Sequence, residues 1–187
     1  MGRKAIFLDR DGVINSKLPE DNYVSSVSAF EFLPGVFDAL IVLQELGFIL
    51  IVITNQRGIA RGFMSEADLE RVHSHMHSEL QKHGICLEAI YHCPHEKSEF
   101  CDCRKPEPGM ILTAGRDYDI DLSSSYMVGD SPSDTAAGRR AGVCSIRIGS
   151  DPDENAASAF ESLLEFALHL KREADGELGD SSHTRSG

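Results

Sequence analysis

Short apolar runs alternate with helical patterns along most of this chain. The runs lie at 5–8, 48–53, 87–91, 126–128 and 143–148, and the helical patterns lie at 33–46, 65–84, 108–118, 132–141 and 156–172. The second run is continuous and rich in β-branched residues, which is typical of a strand that is covered on both faces. This alternation predicts a Rossmann-like α/β fold, in which a parallel sheet has helices on both of its faces.

The carboxyl ends of the predicted strands are where a binding site is expected, because parallel α/β sheets bind their ligands there. Polar residues follow several of the runs directly, and they are Asp9, Asp11, Thr54, Asn55, Gln56, His92 and Asp130. The loops at 16–28 and 92–104 are short. We therefore predict a minimal cap over this edge of the sheet and a fairly open site.

The helical pattern that begins at Ser65 has a marked start and carries three histidines. Ser65 and Asp68 resemble a capping box. The inner face of this helix is predicted to be formed by Leu69, Val72, Met76 and Leu80. His73, His75 and His77 are spaced two apart, which spreads them around a helix. We expect these histidines on a solvated surface and not at a metal site.

Length and charge narrow the class of protein. The 187 residues suit a single domain, which we place at 1–173, followed by a polar tail at 174–187 that is predicted to be disordered. A net charge of −12 without a basic stripe argues against binding to nucleic acid or to anionic membranes. No apolar run is long enough to span a bilayer, and no secretory signal is recognisable. We expect a cytoplasmic monomer.

Two carboxylates follow the first apolar run. Asp9 and Asp11 are two residues apart on extended chain, so both can face one crevice, where a cation or a proton must offset their repulsion. Asp130 follows a later run and could complete a magnesium site with them, since Mg²⁺ prefers oxygen ligands. Asp134 lies four residues further on, where it is either a favourable charge at a helix N-terminus or a partner of this metal site. Asp9 could then attack phosphorus as a nucleophile, and Asp11 could act as the acid and base. The alternative is that a pair of this kind merely caps or decorates a loop.

Four short motifs together resemble those of the haloacid dehalogenase superfamily of phosphotransferases. They are residues 7–12, 54–56, 104–106 and 129–130. The resemblance implies a phosphatase that forms an aspartyl-phosphate on Asp9, uses Asp11 as the acid and base, and binds Mg²⁺ with the help of Asp130. It also implies that Thr54 and Lys105 hold the phosphoryl group.

Three cysteines and one histidine crowd into residues 93–103 of the loop 92–104, and they are Cys93, His95, Cys101 and Cys103. Three thiolates and one imidazole make a complete tetrahedral set for Zn²⁺ with no open position, which is typical of a structural site. Zinc would therefore pin the loop that leads into Arg104 and Lys105. His92 is the competing nitrogen ligand, and a chance group of free thiols is the alternative interpretation.

The predicted zinc site narrows the resemblance to the zinc-containing subgroup of the superfamily, whose members act on heptose bisphosphates or on histidinol phosphate. Residues 30–35, 55–62 and 105–110 are similar to the heptose-bisphosphate phosphatases, and the similarity runs from about residue 5 to residue 148. The resemblance therefore implies a small phosphorylated sugar as substrate, in the synthesis of nucleotide-activated heptose for the lipopolysaccharide core.

The same resemblance implies which residues contact the substrate. They are Tyr23, Asn55, Gln56, Arg57, Arg104 and Ser131. Ser131 stands where the family usually has a basic residue, and the short segment 96–100 between the zinc ligands looks more like the histidinol-phosphate enzymes. Histidinol phosphate is therefore the alternative substrate. The alternative of another class is a non-catalytic module that binds a phosphosugar, since a fold alone does not establish a function.

Overall fold

Six parallel strands form one sheet in the computed structural model, which describes residues 2–19 and 21–176. In chain order they are β1 (Ala5–Leu8), β2 (Ile49–Asn55), β3 (Leu87–Cys93), β4 (Tyr126–Gly129), β5 (Cys144–Ile148) and β6 (Ser158–Phe160). Their order across the sheet is β3-β2-β1-β4-β5-β6, and each neighbouring pair is parallel. The predicted Rossmann-like α/β fold is confirmed, and its topological switch point lies between β1 and β4.

Helices cover both faces of this sheet. Within the described ranges they are α1 (Val36–Glu45), α2 (Glu66–Lys82), α3 (Gly109–Asp117), α4 (Pro132–Ala141) and α5 (Leu163–Ala174). Helices α1, α2 and α5 bury apolar side chains against one face, and α3 and α4 bury theirs against the other. Ile6 belongs to the first of these cores and Phe7 to the second, because successive strand residues point to opposite faces.

Helix α2 begins at the predicted capping box. The Ser65 hydroxyl accepts a hydrogen bond from the backbone N–H of Asp68, whose carboxylate accepts one from the backbone N–H of Ser65. The apolar residues predicted for the inner face are all buried. His73 is buried beside them, so the expectation of a solvated surface is wrong for this histidine. Position 73 lies four residues after Leu69 and three before Met76, which places it on the inner face.

The predicted helix at 156–172 is wrong over its first part, which contains the edge strand β6. Backbone pairing with β5 competes there with the local helical pattern and prevails. Helix α5 begins instead at Leu163, after the Ser162 hydroxyl accepts a hydrogen bond from the backbone N–H of Glu165. Of the predicted tail, residues 177–187 lie outside the described residues.

The segments that follow the strands cover the carboxyl edge of the sheet. They are the loop between β1 and α1, the loop after β2, and the loop between β3 and α3, and each contributes residues to the cleft described below. This arrangement agrees with the prediction of a minimal cap. Among the described helices, none has the length and apolar character needed to cross a membrane.

Candidate active site

A cleft of about 550 Å³ opens at the carboxyl edge of the sheet. The predicted residues that line it are Asp9, Asp11, Tyr23, Asn55, Gln56, Arg57, Arg104, Lys105, Asp130 and Ser131. Thr54 lies beneath this surface, where it is buried at the end of β2 and its hydroxyl accepts a hydrogen bond from the Gln56 side chain at 2.9 Å. The fold therefore brings together residues that are far apart along the chain.

Asp9 faces a buried lysine in this cleft. Its carboxylate accepts a hydrogen bond from Nζ of Lys105 at 2.7 Å. The same ammonium donates to the backbone carbonyl of Ile53 at 2.7 Å and lies 2.6 Å from the carboxylate of Asp134. Because Asp9, Lys105 and Asp134 are all buried, solvent and salt screen these charges only weakly.

The pKa values of this pair follow from their burial. Burial raises the pKa of Asp9 to about 7, although the charge of Lys105 opposes that shift. Burial alone would lower the pKa of Lys105, but Asp134 and Asp9 outweigh it and hold this pKa above its ordinary value. The lysine is therefore protonated at neutral pH, and a further cation beside Asp9 would favour the ionised carboxylate.

Three carboxylates converge near the ends of β1 and β4. Asp9, Asp130 and Asp134, which we call the carboxylate cluster, each offer an oxygen atom within 4.8 Å of the others. Oδ2 of Asp130 lies 2.6 Å from Nζ of Lys17. Oδ1 of Asp130 is buried and has no hydrogen-bond partner among the described residues. A hard cation with oxygen ligands would satisfy this unpaired atom and offset the repulsion.

The carboxylate of Asp11 lies outside this cluster. Nη2 of Arg10 donates to both of its oxygens, at 2.9 and 3.0 Å, and the side-chain amides of Asn15 and Gln56 donate to it at 2.9 and 3.1 Å. Burial raises the pKa of Asp11, but the charge of Arg10 and these hydrogen bonds outweigh burial and leave the pKa below its ordinary value. The sequence predicted that Asp9, Asp11 and Asp130 come together. In the structure, the side chain that joins Asp9 and Asp130 is that of Asp134.

Two glycines allow the carboxylates to approach the backbone. A Cβ atom on Gly12, whose φ is +90°, would collide with the carboxylate of Asp130, and a Cβ atom on Gly129 would collide with the side chain of Asp134. Any larger residue at either position would displace part of the carboxylate cluster.

Helix α4 contributes to the site through its first turn. Ser131 is the N-cap residue, and its backbone N–H donates to Oδ2 of Asp134 at 3.0 Å. The other oxygen of Asp134 pairs with Lys105. One carboxylate therefore completes the helix cap and also orients the lysine. The Ser131 hydroxyl bonds to the Asp134 carboxylate as well, at 2.8 Å, so it serves the cap while it lines the cleft.

The four predicted zinc residues converge, and we call them the cysteine–histidine cluster. Sγ of Cys93 lies 3.5 Å from Nδ1 of His95 and 3.5 Å from Sγ of Cys101. Sγ of Cys103 lies 3.3 Å from Nδ1 of His95 and 3.4 Å from Sγ of Cys101. A tetrahedral ion with bonds of about 2.0 to 2.3 Å keeps its ligands about 3.3 to 3.8 Å apart, so the cluster fits zinc.

His92 lies outside the cysteine–histidine cluster. Its Nε2 lies 3.0 Å from the carboxylate of Glu66, at the start of α2. His92 and Cys93 are successive residues of β3 and point to opposite faces of the sheet. The geometry therefore favours His95 as the nitrogen of this cluster.

The loop that carries the cysteine–histidine cluster is tied directly to the cleft. Arg104 donates a hydrogen bond to the backbone carbonyl of His95 at 3.1 Å. The backbone of Lys105 and the side-chain amide of Asn55 exchange two hydrogen bonds, at 3.1 and 3.0 Å. An ion that fixes the conformation of this loop would therefore also fix the positions of Arg104 and Lys105.

The outer wall of the cleft carries Tyr23 and Arg57. Arg57 lies 3.2 Å from the carboxylate of Asp21, which also pairs with Arg61 at 2.5 Å. The ring of Tyr23 stacks on the ring of Phe63, with centroids 5.5 Å apart. These contacts fix the wall on which the predicted substrate residues lie, and contact with a substrate stays a prediction.

Three residues at the site escaped the sequence prediction: Arg10, Lys17 and His73. Two of them left a usable signal, because Arg10 stands between the predicted acids and His73 has the spacing of the inner face of α2. Lys17 lies in an irregular loop, and no local pattern indicates that it pairs with Asp130. For Asp134 the sequence leaves two interpretations open, a charge at a helix N-terminus and a partner of the metal site, and its contact with Lys105 depends on the tertiary fold.

This chain is similar to known proteins over most of its length. Residues 102–161 match a family model described as HAD-hydrolase-like. A relative from Escherichia coli K12, named D-glycero-beta-D-manno-heptose-1,7-bisphosphate 7-phosphatase, is 44% identical over 184 residues, which cover 90% of this chain and 94% of the relative. A relative of the same name from Haemophilus ducreyi is 44% identical over 150 residues, which cover 76% of this chain and 81% of the relative.

A solved structure is similar over the same length. It is described as D,D-heptose 1.7-bisphosphate phosphatase from B. bronchiseptica complexed with magnesium and phosphate. It superposes with a TM-score of 0.83 at 36% identity, and the match covers 91% of this chain and 99% of that chain.

Proposed function

We propose a function on the premise that this chain belongs to the haloacid dehalogenase-like hydrolases, and within them to the D-glycero-beta-D-manno-heptose-1,7-bisphosphate 7-phosphatase family. The proposed reaction is hydrolysis of the 7-phosphate ester of heptose 1,7-bisphosphate. We infer the β anomer because the curated relatives carry it in their names. The product, a heptose 1-phosphate, would serve the synthesis of nucleotide-activated heptose.

One observation carries the proposal: the two carboxylates of the first loop lie in different electrostatic surroundings. Asp9 faces Lys105 and the other members of the carboxylate cluster, whereas Asp11 is held by Arg10. Two carboxyl groups in unlike environments can take unlike roles in one reaction. We assign attack on phosphorus to Asp9 and proton transfer to Asp11.

In the proposed first step, a carboxylate oxygen of Asp9 attacks phosphorus, and the bond from phosphorus to the sugar oxygen breaks. Asp11 donates a proton to that oxygen, so the sugar leaves as an alcohol. The ammonium of Lys105 and the hydroxyl of Thr54 offset the charge on the phosphoryl oxygens. The result is a phosphorylated Asp9.

In the proposed second step, water attacks the phosphorus of the aspartyl-phosphate while Asp11 takes its proton. The bond between phosphorus and Asp9 breaks, inorganic phosphate leaves, and both carboxyl groups return to their first state. The lowered pKa of Asp11 keeps its carboxylate ionised, which is the form that can accept the proton in this step. The negative charge of an arriving phosphate raises that pKa and so favours the protonated form that the first step needs.

The residues present fit two bound cations. Asp9 and Asp130 would hold Mg²⁺, because Oδ1 of Asp130 is buried without a hydrogen-bond partner in the described part of the chain. When bound, this ion would supply positive charge to the phosphoryl oxygens. The cysteine–histidine cluster would hold a structural Zn²⁺, since its four ligands leave no position open. The solved relative that contains magnesium and phosphate supports the choice of Mg²⁺ as the first ion.

The second phosphate of a heptose bisphosphate needs a cation outside the reaction centre. Arg57 and Arg104 line the same cleft, and a guanidinium group can bind a phosphate through two hydrogen bonds. Ser131 carries no charge, so recognition of the second phosphate would depend on cations elsewhere in the cleft, among them these two arginines. Histidinol phosphate, the second candidate substrate, is favoured only by the short segment 96–100 of the zinc loop, and it has no second phosphate for them.

The test is phosphate release from heptose 1,7-bisphosphate and from histidinol phosphate, side by side, with Mg²⁺ and with Asp9→Asn as the control. We expect kcat/KM to favour the heptose by about 100-fold or more, because histidinol phosphate lacks the second phosphate that the partly buried guanidinium groups of Arg57 and Arg104 would bind. A preference for histidinol phosphate would overturn the substrate assignment. No release from either, by folded protein that contains zinc, would favour a binding module.

A further inference from the structure

A fully buried arginine lies behind Asp11. The side chain of Arg10 is 0% exposed. Its Nε and Nη2 donate to the carboxylate of Asp11 at 3.3 and 2.9 Å, and its Nη1 contacts Nε2 of His73 at 3.2 Å. The guanidinium group is therefore held between the carboxylate on one side and an imidazole on the other.

This contact determines where the proton lies on the imidazole ring. A guanidinium group has only donors and does not lose its proton in proteins, so Nε2 of His73 must accept the hydrogen bond from Arg10. The ring is then neutral and carries its proton on Nδ1. Burial, and after it the charge of Arg10, lowers the pKa of His73 to about 3, which agrees with a neutral ring.

The imidazole reaches the site from a separate element. Arg10 follows β1, whereas His73 lies on the inner face of α2. On its other side the ring of His73 meets the ring of His92 edge to face, with centroids 6.0 Å apart. The imidazole of His73 therefore lies between His92 of strand β3 and the guanidinium group of Arg10. Because His73 belongs to helix α2, the packing of α2 on the sheet determines where the imidazole lies.

We propose that His73 is a positioning residue that orients Asp11 by holding Arg10. The proposal deepens the function proposed above and rests on it, because it assigns His73 to the proton-transfer step. Without an acceptor at Nε2, one N–H group of a buried guanidinium has no partner, and the group rotates or draws in water to find one. The two-nitrogen clamp on Asp11 then loosens, and the proton donor loses its alignment.

This role predicts a dependence on the leaving group. A sugar alkoxide is a poor leaving group and needs a proton as the ester bond breaks, whereas a nitrophenolate leaves without one. Loss of alignment at Asp11 therefore slows cleavage of a sugar phosphate more than cleavage of p-nitrophenyl phosphate. A defect in packing alone would lower both rates in the same proportion.

The experiment compares His73→Met and His73→Gln. Gln places a carbonyl oxygen near the position of Nε2 and can accept from Arg10, whereas Met fills similar space without a comparable acceptor. His77→Met is the matched control, because His77 is exposed on the same helix. For each protein, kcat/KM is measured with heptose 1,7-bisphosphate and with p-nitrophenyl phosphate, and thermal unfolding and zinc content are recorded. If His73→Met does not fold, His73→Asn, whose oxygen stops short of Arg10, replaces it.

We expect His73→Met to lower kcat/KM about tenfold or more with the heptose and less than about threefold with the nitrophenyl ester. His73→Gln should restore the heptose value to within about threefold of wild type. Equal losses with both substrates, no loss, or failure of Gln to restore activity would overturn the proposal. If the wild type cleaves other sugar phosphates but not the heptose, the substrate assignment alone fails, and the comparison is made with the best sugar phosphate.

Discussion

The carboxylate cluster and the cysteine–histidine cluster lie at the same edge of the sheet, but the chain assembles them differently. The first draws its members from the ends of β1 and β4 and from α4, whereas the second draws all of its members from residues 93–103. The second consists of ligands that touch one another. In the first, the ammonium groups of Lys105 and Lys17 contact the carboxylates.

The difference suits the two clusters to different tasks, one structural and one chemical. A closed set of four ligands leaves no room for a substrate and serves to stabilise a loop. A set of buried and half-buried carboxylates with neighbouring cations and one unpaired oxygen is electrostatically incomplete, and it gains from the arrival of a metal ion and a phosphate. Arg104 and Lys105 link the two clusters, because they follow the cysteine–histidine cluster in the chain and line the cleft that contains the carboxylate cluster.

The strongest test of the carboxylate cluster is Asp9→Asn. We expect kcat to fall at least about 1,000-fold, because an amide cannot replace the carboxylate as the nucleophile. The fold should remain, since Lys105 keeps its partner Asp134. Phosphate release and thermal unfolding check both parts, with Asp117→Asn at the far end of α3 as the control. Activity near that of the control would remove Asp9 from the mechanism.

The corresponding test of the cysteine–histidine cluster is Cys103→Ser. We expect loss of zinc, thermal unfolding about 5 to 10 °C lower, and activity about 10- to 100-fold lower, because the loop that positions Lys105 loosens. Cys86→Ser is the matched control, since Cys86 is exposed and outside the cluster. Metal analysis, calorimetry and phosphate release are the measurements. Full zinc content in Cys103→Ser would contradict the assignment of this ligand.

Acid should lower the stability of the folded protein through His73, which lies behind the carboxylates of the first loop. The folded protein keeps this ring neutral, with a pKa of about 3, whereas the ring has its ordinary pKa near 6.5 in the unfolded chain. The unfolded chain therefore binds the extra proton as pH falls below that value, and stability falls with it. Between pH 6.5 and 5, wild type should lose on the order of 2 kcal/mol more than His73→Gln.

Urea unfolding of the two proteins at both pH values measures that difference. Loss of zinc in acid lowers the stability of both proteins alike, so it cancels in the comparison. The same loss of stability in both would mean that the buried ring does not determine this part of the pH dependence.

The smallest effect is expected for Lys17→Met. The Lys17 ammonium lies 2.6 Å from Oδ2 of Asp130, an oxygen that a magnesium ion could use. The lysine side chain is 54% exposed, so this ion pair contributes little, and its removal should tighten Mg²⁺ binding only about two- to fivefold. Calorimetric titration with Mg²⁺ is the measurement, and Lys97→Met, at another exposed lysine that lines the cleft, is the control. Weaker binding by Lys17→Met would mean that the lysine assists the metal.

Elements with strong local signals were predicted well. Strand β1 has the predicted bounds because it is a short apolar run buried on both faces. Helix α4 also has its predicted bounds, with Pro132 in its first turn and Gly142 in a left-handed conformation just after its end. Strand β6 was missed because it has three residues and exists only through its pairing with β5. Its pairing partner, and not its own residues, makes it a strand.

The sequence alone determined the α/β class, the family, the candidate nucleophile Asp9 and the cysteine–histidine cluster. These depend on periodicity and on residues that are close together in the chain, so local spacing carries the information. Only the tertiary structure decided that Asp134 joins the carboxylate cluster, that Lys17 pairs with Asp130, and that His73 meets Arg10. Each of these contacts joins elements that are distant in sequence, and the packing of helices on a twisted sheet, which no local pattern encodes, brings them together.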